Sequence, residues 1–410
     1  MTEVLYLSYD GMTDPLGQSQ VIPYLEGLTK KGYHFHLISF EKEIPYVRDK
    51  ELIGNLLRSK NIEWHPLTYT KRPPVLSTLW DLYRMKSKGA GLIRKHGISL
   101  VHCRSYISGL AGLDFQQRFN IPFLFDMRGF WADERVDGKL WDVNKPIYKI
   151  VYAYFKKKER EMLFKADGVI SLTENAKAEI ESWKVRSTKK LPITVIPCCA
   201  DLNHFNPANV TKEAIENLRT SLNINGHPVI SYLGAIGTWY MLDEMLAFFE
   251  VFLKTYPQAT FLFITREPAA EIIAMAQKLD IPENAIKVMS AGRSEVPAAL
   301  MLSDLSLFFI RPTYSKKASS PTKQAEIMGM GKPLLCNTGI GDTDTIVNKY
   351  HCGMAIDLSD PNAFDMAIKG METLLKTSPE QIMAGAASYF SLEAGVSKYE
   401  SVYMSMLKKV

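Results

Sequence analysis

Lys323 and Glu326 are the residues whose types and spacing point most directly to chemistry. They lie in the segment SSPTKQAEIMGMGKPLLCNTGIGDT, which begins at Ser319, just before a predicted apolar helix, a strand and a glycine-rich turn. A lysine can neutralise phosphate oxygens, a carboxylate can accept hydrogen bonds from ribose hydroxyls, and turn amides can bind anions. The segment therefore suits a phosphorylated ribose. The alternative is an ordinary helix start, capped by Ser319, Ser320 or Thr322, with Glu326 stabilising the helix dipole.

Arg311 and two glycines follow predicted strands in the same half of the chain. Arg311 closes the apolar run LSLFFI, where an arginine suits bidentate phosphate binding. Gly234 and Gly237 lie in the strand–helix loop of ISYLGAIGTWYMLDEML, where a diphosphate can approach the backbone. Arg311 and Lys323 together would balance the charge of a leaving diphosphate. A surface salt bridge and an ordinary tight turn are the alternatives.

Four residues near predicted strand ends in the first half are further candidates. Gly17 follows the first strand and permits an anion to approach the next helix start, although a plain turn explains it equally. Asp126 and Arg128 follow the strand in FLFDMRGF, and Arg104 follows LVHC. We interpret Asp126 as a catalytic residue that positions substrate or handles a proton. Arg104 and Arg128 are interpreted as acceptor-binding or positioning residues, and structural ion pairs are the alternative.

No residue spacing predicts a metal site or a covalent nucleophile. Asp342 and Asp344 form a DTD that resembles a metal-binding DxD, but its place after a glycine turn favours helix capping. His34, His36 and His65 show no ligand spacing, and the five cysteines include no CxxC pair. We therefore expect no metal and no other required cofactor.

Charge is distributed unevenly along the 410 residues. Residues 1–200 carry 31 Lys+Arg and 22 Asp+Glu, a net of +9, whereas residues 201–410 carry 18 and 22, a net of −4. Residues 71–95 and 145–160 combine basic side chains with aromatic ones, which favours contact with an anionic membrane. A solvated helix face is the alternative, and no nucleic-acid-binding module accompanies the charge. No apolar run reaches the roughly 20 residues of a membrane span, so we expect a cytoplasmic protein, at the inner face of the membrane.

Strands and helices alternate along both halves, which predicts an α/β fold of two Rossmann-like domains with parallel sheets facing across a cleft. The predicted domains are 1–197, which would bind an acceptor, and 198–392, which would bind a donor. A C-terminal helix at about 393–410 is expected to pack back on the first domain. A single helix is predicted from Ser19 to Lys31. Strands are predicted at 4–9, 34–40, 62–67, 100–103, 123–127, 168–172, 194–197, 228–233, 260–264, 286–289, 305–309, 333–336 and 354–356.

Taken together, these segments resemble glycosyltransferase family 4, retaining enzymes of the GT-B fold that make bacterial surface polysaccharides. The likeness runs from DPLGQSQVIPYLEGLTKKGYHFHLISF through KADGVISLTENAK and VIPCCADLNHFNP to SSPTKQAEIMGMGKP and GIGDT. It implies that Arg311 and Lys323 bind the donor diphosphate and act in catalysis, and that Glu326 binds the ribose. It further places Gly17 near the sugar-phosphate and the GRSEVP segment, with Arg293 and Val296, near the base. Asp126 falls where the family has a catalytic-cleft His or Asp.

Two departures from the family pattern concern the donor sugar. The family carries two glutamates separated by seven residues, and the second matches Glu326, but Ala318 stands in place of the first. An arginine usual after the first strand of the second domain is replaced within GAIGTW. Both departures affect the contacts that would select the donor sugar.

The sequence therefore predicts a metal-independent hexosyltransferase that uses a nucleotide-diphosphate sugar, UDP-linked in our interpretation. The expected acceptor is a glycan or lipid-linked saccharide in cell-surface polysaccharide synthesis. Two alternatives stay open. One is a nucleotide-sugar epimerase of the same fold, and the other is a non-catalytic donor-binding partner of another transferase.

Overall fold

The computed structural model describes residues 1–186 and 191–408 and divides into two compact units. The first unit comprises Met1–Pro197 and Leu392–Val410, and the second comprises Cys198–Ser391. Each unit is a parallel sheet covered by helices, so the prediction of two Rossmann-like domains is confirmed.

The first sheet has seven strands, and its central members are mostly apolar. They are β1 (Thr2–Ser8), β2 (Tyr33–Glu41), β3 (Ile62–Thr68), β4 (Leu100–Arg104), β5 (Phe123–Asp126), β6 (Gly168–Ser171) and β7 (Ile193–Val195). Their spatial order is β3-β2-β1-β4-β5-β6-β7, with every pair parallel. Strands β1, β4, β5 and β6 are buried almost throughout, as strands covered on both faces must be. The order reverses between β1 and β4, which is where open sheets bind ligands.

Eight helices connect these strands. They are α1 (Pro15–Gln20), α2 (Ile22–Thr29), α3 (Glu43–Ser59), α4 (Leu76–His96), α5 (Ser105–Phe119), α6 (Trp131–Asp137), α7 (Pro146–Lys165) and α8 (Glu174–Ser182). The single helix predicted from Ser19 to Lys31 is wrong, because the chain breaks at Val21 between α1 and α2. Pro23 explains the break, since its ring clashes with the preceding turn and it lacks an N–H.

The second sheet has six strands and is also parallel, with one reversal of strand order. They are β8 (Val229–Leu233), β9 (Thr260–Ile264), β10 (Ile286–Met289), β11 (Leu305–Phe308), β12 (Leu334–Asn337) and β13 (Gly353–Ile356). Their order is β10-β9-β8-β11-β12-β13, which reverses between β8 and β11. Each of the thirteen predicted strands is present within the described residues, with ends shifted by at most two positions.

The helices of the second unit precede, connect and follow these strands along the chain. They are α9 (Lys212–Ser221), α10 (Leu242–Thr255), α11 (Ala269–Gln277), α12 (Val296–Met301), α13 (Thr322–Gly329), α14 (Thr343–Tyr350), α15 (Ala363–Leu375) and α16 (Pro379–Phe390). Phenylalanines of β9 and α10, including Phe249 and Phe261 with ring centroids 5.2 Å apart, fill the core between them.

The last helix, α17 (Leu392–Leu407), belongs to the first unit. Its Tyr403 hydroxyl lies 2.6 Å from His102 Nδ1 of β4, and its Tyr399 hydroxyl donates to Asp126 Oδ2 of β5 at 2.9 Å. The chain thus returns to the first sheet after completing the second one. Residues 409–410 of the predicted helix lie outside the described residues.

Candidate functional site

Lys323 lies in the first turn of α13, inside the helix rather than before it as predicted. Its side chain is 7% exposed, and its Nζ donates to the Tyr232 hydroxyl at 3.1 Å. The ammonium also lies 4.2 Å from the ring centroid of Tyr232 and 3.7 Å from that of Tyr240. Burial lowers the pKa of Lys323 well below its usual value, and Glu326 opposes this shift only in part. The amino group is held by aromatic rings in place of water.

The capping alternative for this segment is wrong. The N-cap of α13 is Pro321, and no side chain forms a cap hydrogen bond there. Ser320 Oγ instead accepts a hydrogen bond from the Cys198 N–H at 3.1 Å, within the same unit. Helix initiation therefore does not explain why a lysine lies at this buried position.

Gly234 has a backbone that few other residues tolerate. Its φ is +117°, and its N–H donates to Ile264 O at 3.0 Å. A Cβ at this position would lie 3.1 Å from Lys323 Nζ. Gly237, three residues later, has φ +152° and no heavy atom within 4 Å of a Cβ position. The two glycines thus shape a loop at the carboxyl end of β8, against which the Lys323 ammonium rests.

Arg311 lies three residues beyond β11, not at its end as predicted. Its N–H donates to Trp239 O at 2.8 Å, and Ile310 forms an antiparallel bridge with Tyr240. Its side chain is exposed and forms no salt bridge within the described residues, so the surface-ion-pair alternative is not realised. The backbone of Arg311 therefore joins the glycine loop that contacts Lys323.

Glu326 lies one helical turn after Lys323 and is half-buried. Burial raises its pKa, while the charges of Arg293 and Lys323 act in the opposite direction. The Arg293 guanidinium is 5.5 Å from the Phe205 ring centroid, and Val296 begins α12 three residues further on. The charges of Arg293 and Lys323 therefore both favour the ionised form of Glu326.

Lys316 is a buried cation that the sequence analysis did not single out. It lies in the 3₁₀ turn Tyr314–Ala318, is buried, and places its Nζ 3.7 Å from the Trp239 ring centroid. Its carbonyl accepts the Gly341 N–H at 2.8 Å, which ties the turn to the GIGDT segment. The double lysine in TYSKKASSPTK was the available signal. Ala318, in the same turn, is buried and offers no carboxylate.

The DTD segment does not act as predicted. Asp342 occupies the N-cap position of α14 but forms no cap hydrogen bond with its side chain. Its Oδ2 accepts from the Tyr389 hydroxyl at 2.9 Å, whereas Asp344 Oδ1 accepts from the Thr345 N–H at 2.8 Å. Asp342 therefore links α14 to α16, because a hydroxyl from the second helix satisfies it.

Asp126 and Arg104 lie at neighbouring strand ends of the first unit, in a network that includes α17. Asp126 is 0% exposed and lies 3.3 Å from His102 Nε2 as well as accepting from Tyr399. Burial alone would raise its pKa, but Arg128 and His102 keep the pKa below its usual value. Arg104 is 3% exposed, its Nε donates to Asp10 Oδ2 at 3.2 Å, and its Nη1 has no hydrogen-bond partner. The network favours a positioning role for Asp126.

Arg128 has an unusual backbone conformation, and Gly17 is closely packed against the preceding loop. Arg128 has φ +57° and a buried side chain, with Nη1 4.0 Å from Asp126 Oδ1. Gly17 lies within α1, and a Cβ there would be 2.2 Å from Gly11 O and 2.8 Å from Met12 Cα. The approach that requires glycine at this position is therefore that of the preceding loop of the chain itself. A contact with the donor sugar-phosphate stays a prediction.

An apolar pocket of about 430 Å³ opens between α4 and α7, the two helices that carry the basic-aromatic segments. Its lining is almost entirely hydrocarbon and aromatic. It consists of Pro74, Val75, Thr78, Leu79, Leu82, Ile107, Leu110, Trp131, Leu140, Trp141, Tyr148, Ile150, Val151, Tyr154 and Phe155. Leu79 and Ile150 are 54% and 70% exposed, so the apolar surface continues onto the outside of both helices. No helix in the described parts of the chain is long and apolar enough to cross a bilayer.

One family model matches part of the chain. The model of Glycosyltransferase Family 4 matches residues 20–204, which cover most of the first unit up to α17. No curated protein matches the chain.

Three solved structures illustrate the likeness of fold. A sucrose-phosphate synthase of Thermosynechococcus elongatus superposes with a TM-score of 0.75 at 16% identity, covering 100% of both chains. A glycosyltransferase of Rickettsia africae has a TM-score of 0.71 at 17% identity, covering 100% of this chain and 99% of that one. Anabaena HepE, solved with UDP and glucose, has a TM-score of 0.70 at 14% identity, covering 98% and 100%. The three structures share the GT-B fold of this chain along its whole length, and the family model matches its first part.

Proposed function

We propose that this chain is a retaining glycosyltransferase that takes a hexose from a nucleotide-diphosphate sugar, UDP-linked as in the ligand of HepE. The acceptor in this proposal is a glycan or lipid-linked saccharide of cell-surface polysaccharide synthesis. The observation that carries the proposal is the Lys323 ammonium, buried against two tyrosine rings at the strand-order reversal of the second sheet. A desolvated cation at that edge is poised for a phosphate group.

Charge balance gives the donor residues their roles. Cleavage of the glycosidic bond leaves negative charge on the departing diphosphate, and fixed cations stabilise that charge without reorganising solvent. Lys323 and Arg311 act on the diphosphate in this proposal, and Gly234 and Gly237 let it approach the backbone. Glu326 accepts hydrogen bonds from the ribose.

The remaining site residues position the donor and the acceptor. Arg293 and Val296 border the base, and Gly17 borders the sugar-phosphate. On the acceptor side, Arg104 and Arg128 bind or orient the incoming group, and Asp126 holds them through its buried network. Transfer in this scheme needs no metal.

The pocket between α4 and α7 supports a lipid-linked acceptor presented at the inner membrane face. Basic residues near anionic lipid contribute about 1 kcal/mol each, and exposed apolar side chains add to the binding. Leu79→Glu combined with Ile150→Glu should abolish retention on vesicles that contain anionic lipid at low salt. Met366→Glu, at an exposed apolar position of the second unit, is the matched control and should leave retention unchanged. Equal retention of all three proteins would contradict membrane contact through this face.

A donor screen tests the central proposal. UDP-, GDP- and ADP-sugars are compared for thermal stabilisation, since a ligand that binds only the folded state raises its stability by mass action. The proposal expects a UDP-sugar to give the largest shift, and product analysis by NMR to show the retained anomeric configuration. Lys323→Ala and Arg311→Ala should each lower turnover about 10²–10³-fold without loss of fold. Near-normal turnover in both variants would remove the diphosphate role.

Two alternative functions are separable by assay: an epimerase that shares the fold and the donor site, and a non-catalytic donor-binding partner, which Ala318 favours because it removes one sugar contact of the family pattern. An epimerase would convert the donor sugar with no acceptor present. A non-catalytic partner would bind the donor without releasing UDP, so slow UDP release by the purified protein would argue against that function.

A further inference from the structure

Four of the eight histidines of the chain gather on one face of the first sheet. His34 and His36 are two residues apart on β2, and His65 is on β3, while His96 comes from the end of α4. Residues two apart on a strand share a face, so the H-x-H of β2 presents two imidazoles together. The His36 ring centroid is 5.1 Å from that of His34, 5.8 Å from that of His65 and 4.2 Å from that of His96.

Two carboxylates complete this histidine cluster. Glu3 of β1 is the register partner of His34, and Glu63 of β3 is the register partner of His36. Glu3 Oε2 lies 2.7 Å from His34 Nδ1 and 3.1 Å from His36 Nε2, and Glu63 Oε2 lies 3.1 Å from His36 Nδ1. The sequence analysis found no ligand spacing here because it did not consider strand periodicity.

The His36 ring is poorly satisfied by hydrogen bonds alone. It is 0% exposed, and each of its two nitrogens faces a carboxylate oxygen. Its Nε2 forms a hydrogen bond with Glu3 Oε2 at 3.1 Å, whereas its buried Nδ1 has no hydrogen-bond partner among the described residues although Glu63 Oε2 lies 3.1 Å away. A metal ion between Nε2 and Glu3 would place the single proton of a neutral ring on Nδ1, beside Glu63.

We propose that Glu3, His34 and His36 bind a divalent transition-metal ion, Zn²⁺ by preference, through Glu3 Oε2, His34 Nδ1 and His36 Nε2. These three atoms all lie within 4.8 Å of one another. Metal–ligand bonds of about 2.0–2.2 Å place tetrahedral ligands roughly 3.3–3.5 Å apart, so on metal binding Glu3 Oε2 must move away from His34 Nδ1, now at 2.7 Å, and slightly away from His36 Nε2, now at 3.1 Å. Two imidazoles and one carboxylate form a donor set that zinc takes in proteins, with the fourth position left to water.

Glu63 gives the site its outer partner. With the metal on Nε2, the proton of His36 is on Nδ1, 3.1 Å from Glu63 Oε2, where a carboxylate can fix the tautomer and strengthen the ligand. The Glu3 and His34 side chains are 28% and 22% exposed, so an ion can enter from solvent. All these residues lie near the amino ends of their strands, whereas Arg104 and Asp126 lie at the carboxyl ends. The ion would therefore join β1 to β2 and take no part in sugar transfer.

Metal binding to untagged, metal-free protein tests this inference. Zn²⁺ alone is titrated by calorimetry, retained metal is counted by plasma mass spectrometry after desalting, and thermal unfolding is followed with and without Zn²⁺. We expect one ion per chain and a melting temperature that rises with Zn²⁺ concentration and returns with a chelator. Glu63→Gln should weaken binding about 10–100-fold, as loss of an outer partner does.

Variants at Glu3 and His34, whose side chains are partly exposed, should remove the metal without unfolding the protein. Glu3→Gln and His34→Ala should abolish binding while melting like the metal-free wild type. His351→Asn is the control, because His351 caps α14 in a left-handed conformation that asparagine tolerates, and it should bind like the wild type. The inference is overturned if the wild type retains no zinc, or if Glu3→Gln and His34→Ala retain it equally well.

Discussion

Replacing Lys323 with methionine separates the effect of the buried ammonium on stability from its effect on donor turnover. Methionine keeps an unbranched side chain of similar length between the rings of Tyr232 and Tyr240 but removes the ammonium. The amino group is buried, donates to the Tyr232 hydroxyl, and has a pKa that desolvation lowers. We therefore expect Lys323→Met to be at least as stable as the wild type, while donor turnover falls about 10²–10³-fold.

The pH dependence of stability gives the sign of this effect. In the unfolded chain the lysine titrates near its ordinary pKa of about 10.4. Below the lowered pKa of the folded state the amine is charged in both states, and the folded protein carries the full desolvation cost. Between the two pKa values the unfolded state binds more protons, so the free energy of unfolding rises with pH, by at most about 1.4 kcal/mol per unit. Lys323→Met should remove this rise.

Urea unfolding between pH 7 and pH 10, run on both proteins without ligand, measures the difference. Lys332→Met is the matched control, because Lys332 lies in the same unit and its pKa is also lowered by burial, while its Nζ contacts Met301 O rather than the glycine loop. That control should change stability but leave turnover near normal. If Lys323→Met unfolds more easily at pH 7 and loses activity only in proportion, the lysine is structural and the diphosphate role is refuted.

Three further expectations concern the glycine loop and the first unit. Gly234→Ala should destabilise the protein by about 1–3 kcal/mol through backbone strain, and it should also weaken donor binding because its Cβ would displace Lys323 Nζ. Gly237→Ala should show the backbone strain alone. Urea unfolding and donor titrations measure the two effects. Asp126→Asn should destabilise the protein by about 3–5 kcal/mol in urea, whereas Asp114→Asn, at a surface pair, should cost under about 1 kcal/mol. Because the pKa of Asp126 is lowered in the fold, its contribution is complete above about pH 4 and is lost as pH falls through the folded pKa, so the acid limb of wild-type unfolding should flatten in Asp126→Asn.

The alternation of apolar runs and helical periods was sufficient to predict both sheets. Strands buried on both faces appear in the sequence as short continuous apolar runs, so the bounds of β9 and β10 were predicted to the residue. Errors occurred where a single residue overrides the periodicity. Pro23 divides one amphipathic stretch into α1 and α2, and nothing in the hydrophobic pattern alone signals this.

The sequence was sufficient to choose candidate site residues but not to predict their burial or their contacts. The position of Asp126 at a strand end was visible in the sequence, but its hydrogen bond from Tyr399, more than 270 positions later in the chain, was not. A contact at such separation leaves no local trace in sequence. The cluster around His36 is different, since the i, i+2 spacing on β2 was visible and needed only the strand assignment already made.

The Lys323 ammonium brings a positive charge to the glycine loop that follows β8. The resemblance places an arginine after the first strand of this domain, yet GAIGTW contains none. In the fold, the ammonium of Lys323 from α13 lies 3.1 Å from the Cβ position of Gly234 in that loop. A side chain at position 234 would collide with it, and the rings of Tyr232 and Tyr240 hold it there against the cost of desolvation. Desolvation lowers the pKa of Lys323 despite these contacts, and the diphosphate of the proposed donor would supply the opposite charge.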